Sequence, residues 1–157
     1  MSISLRPITL DDEGFLYSVY SSTREDELAQ VDWDDAQKQA FLKMQFHAQH
    51  TYYMEQYKHA SFDVILLDDV PVGRLYLDRR KSEIRIVDIA LLTAYRNRGI
   101  GSLLLKDILA EGERAGLPVR IHVEHFNPAL HLYTRLGFRH IDDHGVYYLM
   151  ERVKHAG

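Results

Sequence analysis

The chain has no cysteine among its 157 residues. That single absence excludes a disulfide framework, a thiolate metal site and a cysteine nucleophile. No apolar run approaches the ~18 residues of a membrane-spanning helix, and the start, "MSISLRPITLDDEG", lacks an apolar signal core. These absences predict a cytoplasmic protein with no membrane partner. A basic excess is missing as well, since 23 acidic residues outnumber 19 Lys and Arg for a formal net charge of −4. Nucleic-acid binders normally carry a basic stripe, so nucleic acid is not expected as a partner. Any strongly anionic ligand then needs a local positive site to overcome the global sign.

What is present is a globular composition, 46% hydrophobic and 27% charged, with no repeat and no low-complexity linker. A chain of this size fits one domain, 1–157, burying about 70% of its unfolded surface. "ISLRPIT" reads as an edge strand ending near Pro7. Phe15, Leu16, Val19 and Tyr20 recur at helical spacing. A second helix begins near Asp34, capped by Asp32 or Asp34, with Phe41, Met44, Ala48 and Tyr52 as its apolar stripe. From residue 62 the period shortens: "FDVILLDDVPVGRLYLD" is a hairpin turning at Asp68-Asp69, and "EIRIVDIALL" is a central strand. A helix with Leu104, Leu105, Ile108 and Leu109 on one side ends at Gly116 and Pro118. "VRIHVE" is a strand, "PALHLYTRLG" a short helix, and "FRHID" with "VYYLMER" a closing hairpin. The order β-α-α-β-β-β-α-β-α-β-β implies an α/β sheet with both faces covered. "VYYLMER" offers an edge for strand pairing between subunits in a homodimer.

The stretch "AYRNRGIGSLLLKDILAE", residues 94–111, is a glycine turn opening a helix. The first N–H groups of a helix are unpaired and its dipole favours negative charge. Gly99 and Gly101 let a ligand approach the backbone, and Arg96 and Arg98 add forked positive donors. A Walker A loop needs Gly-Lys-Ser/Thr, whereas Ile100 and Gly101 follow Gly99 here. A dinucleotide fingerprint needs a third glycine where Leu104 stands. Both nucleotide loops fail, and a plain strand-to-helix turn with surface arginines remains the bland alternative.

The pattern Arg96-x-x-Gly99-x-Gly101 resembles the acyl-CoA-binding motif (R/Q-x-x-G-x-G/A) of the GCN5-related N-acetyltransferase (GNAT) superfamily. Downstream, "VRIHVEHFNPALHLYTRLGF" is similar to that family's second signature, in the right order and at the usual separation. The resemblance implies a GNAT-type mixed, mostly antiparallel central sheet, splayed between its fourth and fifth strands and flanked by helices on both faces. It also implies acetyl-CoA as co-substrate, its pyrophosphate cradled by the amides of Arg98, Gly99, Ile100, Gly101 and Ser102, with Arg96 and Asn97 alongside. By the same resemblance, Ile89, Ala90, Leu91 and Leu92 pair with the pantetheine arm, Leu91 supplies the oxyanion-type amide, and Asn127 contacts the arm. Tyr133 matches the tyrosine that faces the CoA sulfur as general acid, although a core aromatic is its bland reading.

An acceptor alkylamine of pKa about 10.4 must lose a proton before attack. By the same resemblance Glu83 stands near where relatives carry a glutamate base, and Asp88 is a carboxylate inside an apolar run. The family does not fix which one takes the proton, and an ion pair or hydrogen bond is the alternative for Asp88. The acidic run Glu25, Asp26, Glu27, Asp32, Asp34 and Asp35 could welcome a cationic small-molecule or peptide amine, or be a solvated helix face. The nine histidines include no His-Glu-x-x-His arrangement, so no metal is expected. The function implied is N-acetyl transfer to a primary amine by direct attack in a ternary complex. A catalytically silent acyl-CoA sensor on the same fold is the alternative.

Overall fold

The computed structural model describes residues 1–153. Its elements are β1 (Ile3–Pro7), α1 (Glu13–Thr23), α2 (Glu25–Ala29), α3 (Asp35–Gln56), β2 (Ser61–Leu67), β3 (Val70–Arg79) and β4 (Ile84–Leu91). There follow α4 (Ile100–Ala115), β5 (Val119–Glu124), α5 (Leu130–Arg135), β6 (Arg139–His144) and β7 (Tyr147–Arg152). The seven strands form one open mixed sheet, ordered β1-β2-β3-β4-β5-β7-β6 and flanked by helices. The chain divides into two compact units, Met1–Leu75 with Ile89–Arg96, and Tyr76–Asp88 with the residues from Asn97 on.

In the first unit β1 lies at a sheet edge and pairs antiparallel with β2, so Pro7 sits where its missing N–H costs least. Asp68 and Asp69 both take positive φ (49° and 68°), which matches the twist of a two-residue hairpin turn between β2 and β3. Asp34 caps α3: its side chain accepts the Gln37 N–H at 2.8 Å, and the Gln37 side chain accepts the Asp34 N–H at 3.0 Å. The expected stripe on α3 is corrected, because Met44 and Tyr52 are exposed and the buried residues are Leu42 and Phe46. α3 carries two neighbouring apolar lines, and packing with α1 selects between them. Phe46 meets Tyr17 and Tyr20 at ring distances of 5.7 and 6.1 Å, closing a core with Leu16, Leu28 and Leu42.

In the second unit Leu104, Leu105, Ile108 and Leu109 are buried, and α4 stops at Gly116 in the left-handed conformation (φ 69°). β4 and β5 run parallel, but their ladder holds only from Ile84↔Val119 to Ile86↔Ile121. β5 continues beside β7 as far as Glu124↔Tyr147, so Val87 and Asp88 leave it and the sheet splays there. The edge expected at "VYYLMER" is corrected. β7 lies inside the sheet between β5 and β6, with Met150 opposite Ile121 and Tyr148 opposite Val123. The apolar face of β7 is what draws it inward; β6, exposed along its length and bulged at His140/Asp142, is left as the edge.

Candidate active site

The candidate anion-binding segment begins where the 3₁₀ turn Thr93–Tyr95 ends. Asn97 (φ 60°) and Gly99 (φ 83°) both adopt left-handed backbone, and α4 opens directly after Gly99 with no side-chain cap among the described residues. The Gly99 carbonyl accepts the first intrahelical bond, from Leu103 N–H at 3.0 Å. The amides of Ile100, Gly101 and Ser102 therefore belong to the turn that has no partners within a helix. Ile100, fully buried, pins that turn to the core beside Leu104 and Leu105. A Cβ added at Gly99 or Gly101 would meet nothing within 4 Å, so neither glycine is required by crowding within the protein. Gly99 is required by its φ, and Gly101 leaves an open cradle over the helix start. Arg98 is exposed beside it.

Arg96 is half-buried and committed to partners within the protein. Its Nε donates to the Leu91 carbonyl at 3.0 Å and its Nη2 to the Ser22 hydroxyl at 3.1 Å, both within the first unit. The N–H of Leu92 donates to the Val72 carbonyl at 2.9 Å, so this amide is committed to β3. Gly73 allows β4 to approach there, since a Cβ would collide with the Ala90 carbonyl and lie 2.9 Å from a Leu91 methyl. Sequence reasoning missed Gly73 and Ser22. A glycine inside an otherwise apolar strand is a recognisable sign of close backbone approach, whereas a lone serine in a helix carries no such sign.

The proton-handling candidates all lie in the second unit. Glu83, 6% exposed, is ion-paired with Arg85 at 2.9 Å, Arg120 at 3.4 Å and Arg80 at 3.8 Å. Burial opposes its ionisation, but the Arg85 hydrogen bond and the three positive charges outweigh it and hold the carboxyl below its ordinary range. Glu83 is thus held as a carboxylate among three arginines, which lowers its basicity. Arg85 also contacts His122 Nδ1 at 3.1 Å; His122 Nε2 lies 2.9 Å from His144 Nδ1, and His144 Nε2 3.0 Å from Asp142. Because a guanidinium only donates, His122 Nδ1 must accept, and the proton of each imidazole then sits on Nε2.

Asp88 is half-buried on the splayed part of β4. Tyr133 is buried on α5, edge-on to Phe138 at 5.5 Å between ring centres. Burial raises the Tyr133 phenol well above its ordinary range, and the Asp88 charge pushes it the same way. The Asp88 charge is thus felt at Tyr133, a residue chosen separately from the sequence. Asn127 shapes the turn into α5: its Oδ1 accepts the Ala129 N–H at 2.8 Å and its carbonyl accepts the Leu130 N–H at 3.0 Å. No group of three or more His, Asp or Glu among the described residues could hold a metal. No helix among them is long and apolar enough to cross a membrane.

The architecture is an open α/β sheet splayed at a parallel pair, with an uncapped glycine turn opening the next helix. The acetyltransferase (GNAT) family model matches residues 17–138, and the chain belongs to that family. A search of curated protein sequences found no match. Among solved structures, the chain is similar to PaiA N-acetyltransferase from Thermoplasma acidophilum in complex with coenzyme A. The TM-score is 0.73 at 18% identity, covering 98% of this chain and 100% of that one. It is similar also to Arabidopsis thaliana Naa50 in complex with the bisubstrate analogue CoA-Ac-MVNAL (TM-score 0.64, 19% identity, 98% and 100% covered). A third is a GNAT family acetyltransferase from Elizabethkingia anophelis with acetyl-CoA bound (TM-score 0.60, 17% identity, 97% and 98% covered). At these identities the likeness establishes the fold.

Proposed function

We propose that the protein transfers an acetyl group from acetyl-CoA to a primary amine, small-molecule or peptide, by direct attack in a ternary complex. The observation that carries this is the open cradle at Gly99 and Gly101, over the uncapped amides that begin α4. A bare helix start with exposed Arg98 beside it suits a diphosphate, and it answers the chain's negative net charge. Coenzyme A or acetyl-CoA occupies several structural relatives, which supports the same ligand here. The Naa50 complex with a CoA–peptide analogue keeps peptide amines among the acceptors.

The amides of Arg98 to Ser102 hold the diphosphate, and Leu91 N–H donates to the acyl carbonyl as negative charge grows there. Asp88 accepts the proton of the acceptor amine as the new C–N bond forms and the C–S bond breaks. Tyr133, its phenol raised by burial and by Asp88, donates a hydrogen bond to the leaving sulfur. With a thiol near pKa 8.5 and a phenol above 10, full transfer of the phenolic proton is uphill. The thiolate takes its proton from solvent, to which Asp88 returns the one it accepted. Burial is the larger cause of the raised phenol and persists; protonation of Asp88 removes the smaller one, so Tyr133 becomes a somewhat better donor as the sulfur leaves. Asn127 holds the turn that carries Tyr133 and keeps its NH₂ for the CoA arm.

The silent-sensor alternative is supported by one observation, the pairing of Glu83 with three arginines, which counts against one of the two candidate bases. Titration calorimetry with acetyl-CoA, followed by a thiol-release assay over amines, amino acids, polyamines and peptide N-termini, separates the two. The enzyme binds and releases thiol in an amine-dependent way; binding with no release under any amine would identify the sensor.

A further inference from the structure

We propose that Arg96 and Ser22 form a latch that fixes the end of β4, so that Arg96 is a positioning residue and not a phosphate ligand. An arginine offers only donors, in a rigid planar fork. Here Nε is spent on the Leu91 carbonyl at 3.0 Å and Nη2 on the Ser22 hydroxyl at 3.1 Å. Ser22 is 7% exposed, and its own O–H is given to the Val19 carbonyl at 2.7 Å. Its oxygen is therefore held in one orientation, as an acceptor for Arg96.

The consequence falls on one peptide plane. The Leu91 carbonyl and the Leu92 N–H belong to the same planar unit. Arg96 holds its carbonyl edge, and Val72 holds its N–H edge at 2.9 Å. Gly73 lets β3 come close enough for that second contact. The plane is thus pinned on both sides immediately after the Leu91 N–H, the group assigned above to the acyl carbonyl. Within the same unit, Thr93 Oγ1 donates to Glu25 Oε2 at 3.4 Å, so the α1–α2 corner is tied to the segment after β4 at two points. Two motif arginines that look equivalent in sequence are divided by this geometry: half-buried Arg96 serves the strand, and exposed Arg98 stands beside the anion cradle.

The latch rests on the acetyltransferase reading only where it concerns turnover, and its test keeps the two apart. Ser22→Ala, Arg96→Lys and Arg96→Gln are made in the full chain, with Ser22→Thr as the variant that keeps the hydroxyl. Steady-state acetyl transfer, coenzyme A affinity at several salt concentrations, and hydrogen exchange at the Leu92 amide are measured on each. The latch predicts that Ser22→Ala and Arg96→Lys lower kcat about ten-fold, the scale expected for misplacing a reacting group slightly. It predicts coenzyme A affinity within about two-fold of wild type and an unchanged salt slope for Arg96→Gln, with faster exchange at Leu92 in all three. Ser22→Thr should stay near wild type in kcat and exchange. Wild-type kcat and exchange in Ser22→Ala and Arg96→Lys would overturn the latch. So would a marked loss of coenzyme A affinity with a flattened salt slope in Arg96→Gln, which would make Arg96 a phosphate ligand after all. A wild-type protein that neither binds coenzyme A nor releases thiol would refute the acetyltransferase reading, and Leu92 exchange would still decide the latch.

Discussion

Replacing Gly101 by leucine separates a ligand-binding glycine from a packing one, because the two roles predict opposite signs for stability. Gly101 lies in the first turn of α4, outside the positive-φ residues, and a Cβ there meets nothing within 4 Å. Removing a glycine from a helix recovers backbone entropy, so Gly101→Leu should stabilise the fold by about 0.5 kcal/mol. For a domain of this size that is about 1–2 °C in Tm. The same side chain would fill the open cradle and block the amides of the first turn. Each charge-assisted hydrogen bond lost to a diphosphate is worth about 1.5–3 kcal/mol, or roughly 10- to 100-fold in Kd. Thermal unfolding and titration calorimetry with acetyl-CoA on the same samples read both quantities. The expected result is a slightly raised Tm with affinity reduced at least ten-fold. A Tm lowered by several degrees would mean the glycine is there for packing, and a raised Tm with unchanged affinity would mean the cradle holds no ligand.

Tyr133→Phe should lower kcat about 10- to 100-fold with acetyl-CoA affinity nearly unchanged, since the lost hydrogen bond is made to the leaving sulfur; equal kcat would remove Tyr133 from the chemistry. Glu83→Gln leaves Arg80, Arg85 and Arg120 without their shared carboxylate. It should cost about 3 kcal/mol in urea unfolding with little change in turnover of the folded protein; lost turnover at full stability would restore Glu83 as the base. Asp12 accepts both Arg6 guanidinium nitrogens at 2.8 Å, and that hydrogen-bonded pairing lowers its pKa to about 2. The folded value is depressed, so the pair's stability, about 2 kcal/mol, is present above the ordinary carboxylate pKa and lost as pH falls from about 4 to 2. Asp12→Asn should therefore unfold at lower urea than wild type at pH 7 and match it near pH 2; a gap that persists in acid would contradict the ion-pair account.

Features written in consecutive residues are legible in the sequence itself. Asp68-Asp69 between two apolar runs is a hairpin turn, Asp34 a helix cap, and Gly99 and Gly116 the left-handed ends of α4. The family resemblance adds the splay at Ile86↔Ile121. What escapes depends on partners distant in the chain. Nothing local distinguishes Leu42 and Phe46 from the line through Met44 and Tyr52 until α1 packs against one of them. Whether β7 or β6 becomes the edge is decided by pairing with β5, which the hairpin alone leaves open. Glu83 reads as a free base until Arg120, 37 positions away, is seen beside it. Arg96 reads as a bare surface cation until Ser22, 74 positions away, is found hydrogen-bonded to it.

Transfer itself is tested most directly by following isotopically labelled acetyl-CoA with a panel of amines and identifying the labelled product by mass spectrometry. The account predicts labelled N-acetylated amine formed in equal amount to free coenzyme A, and neither product above background without an acceptor. Binding without any acetylated amine, or thiol release that yields only free acetate whatever amine is supplied, would contradict it.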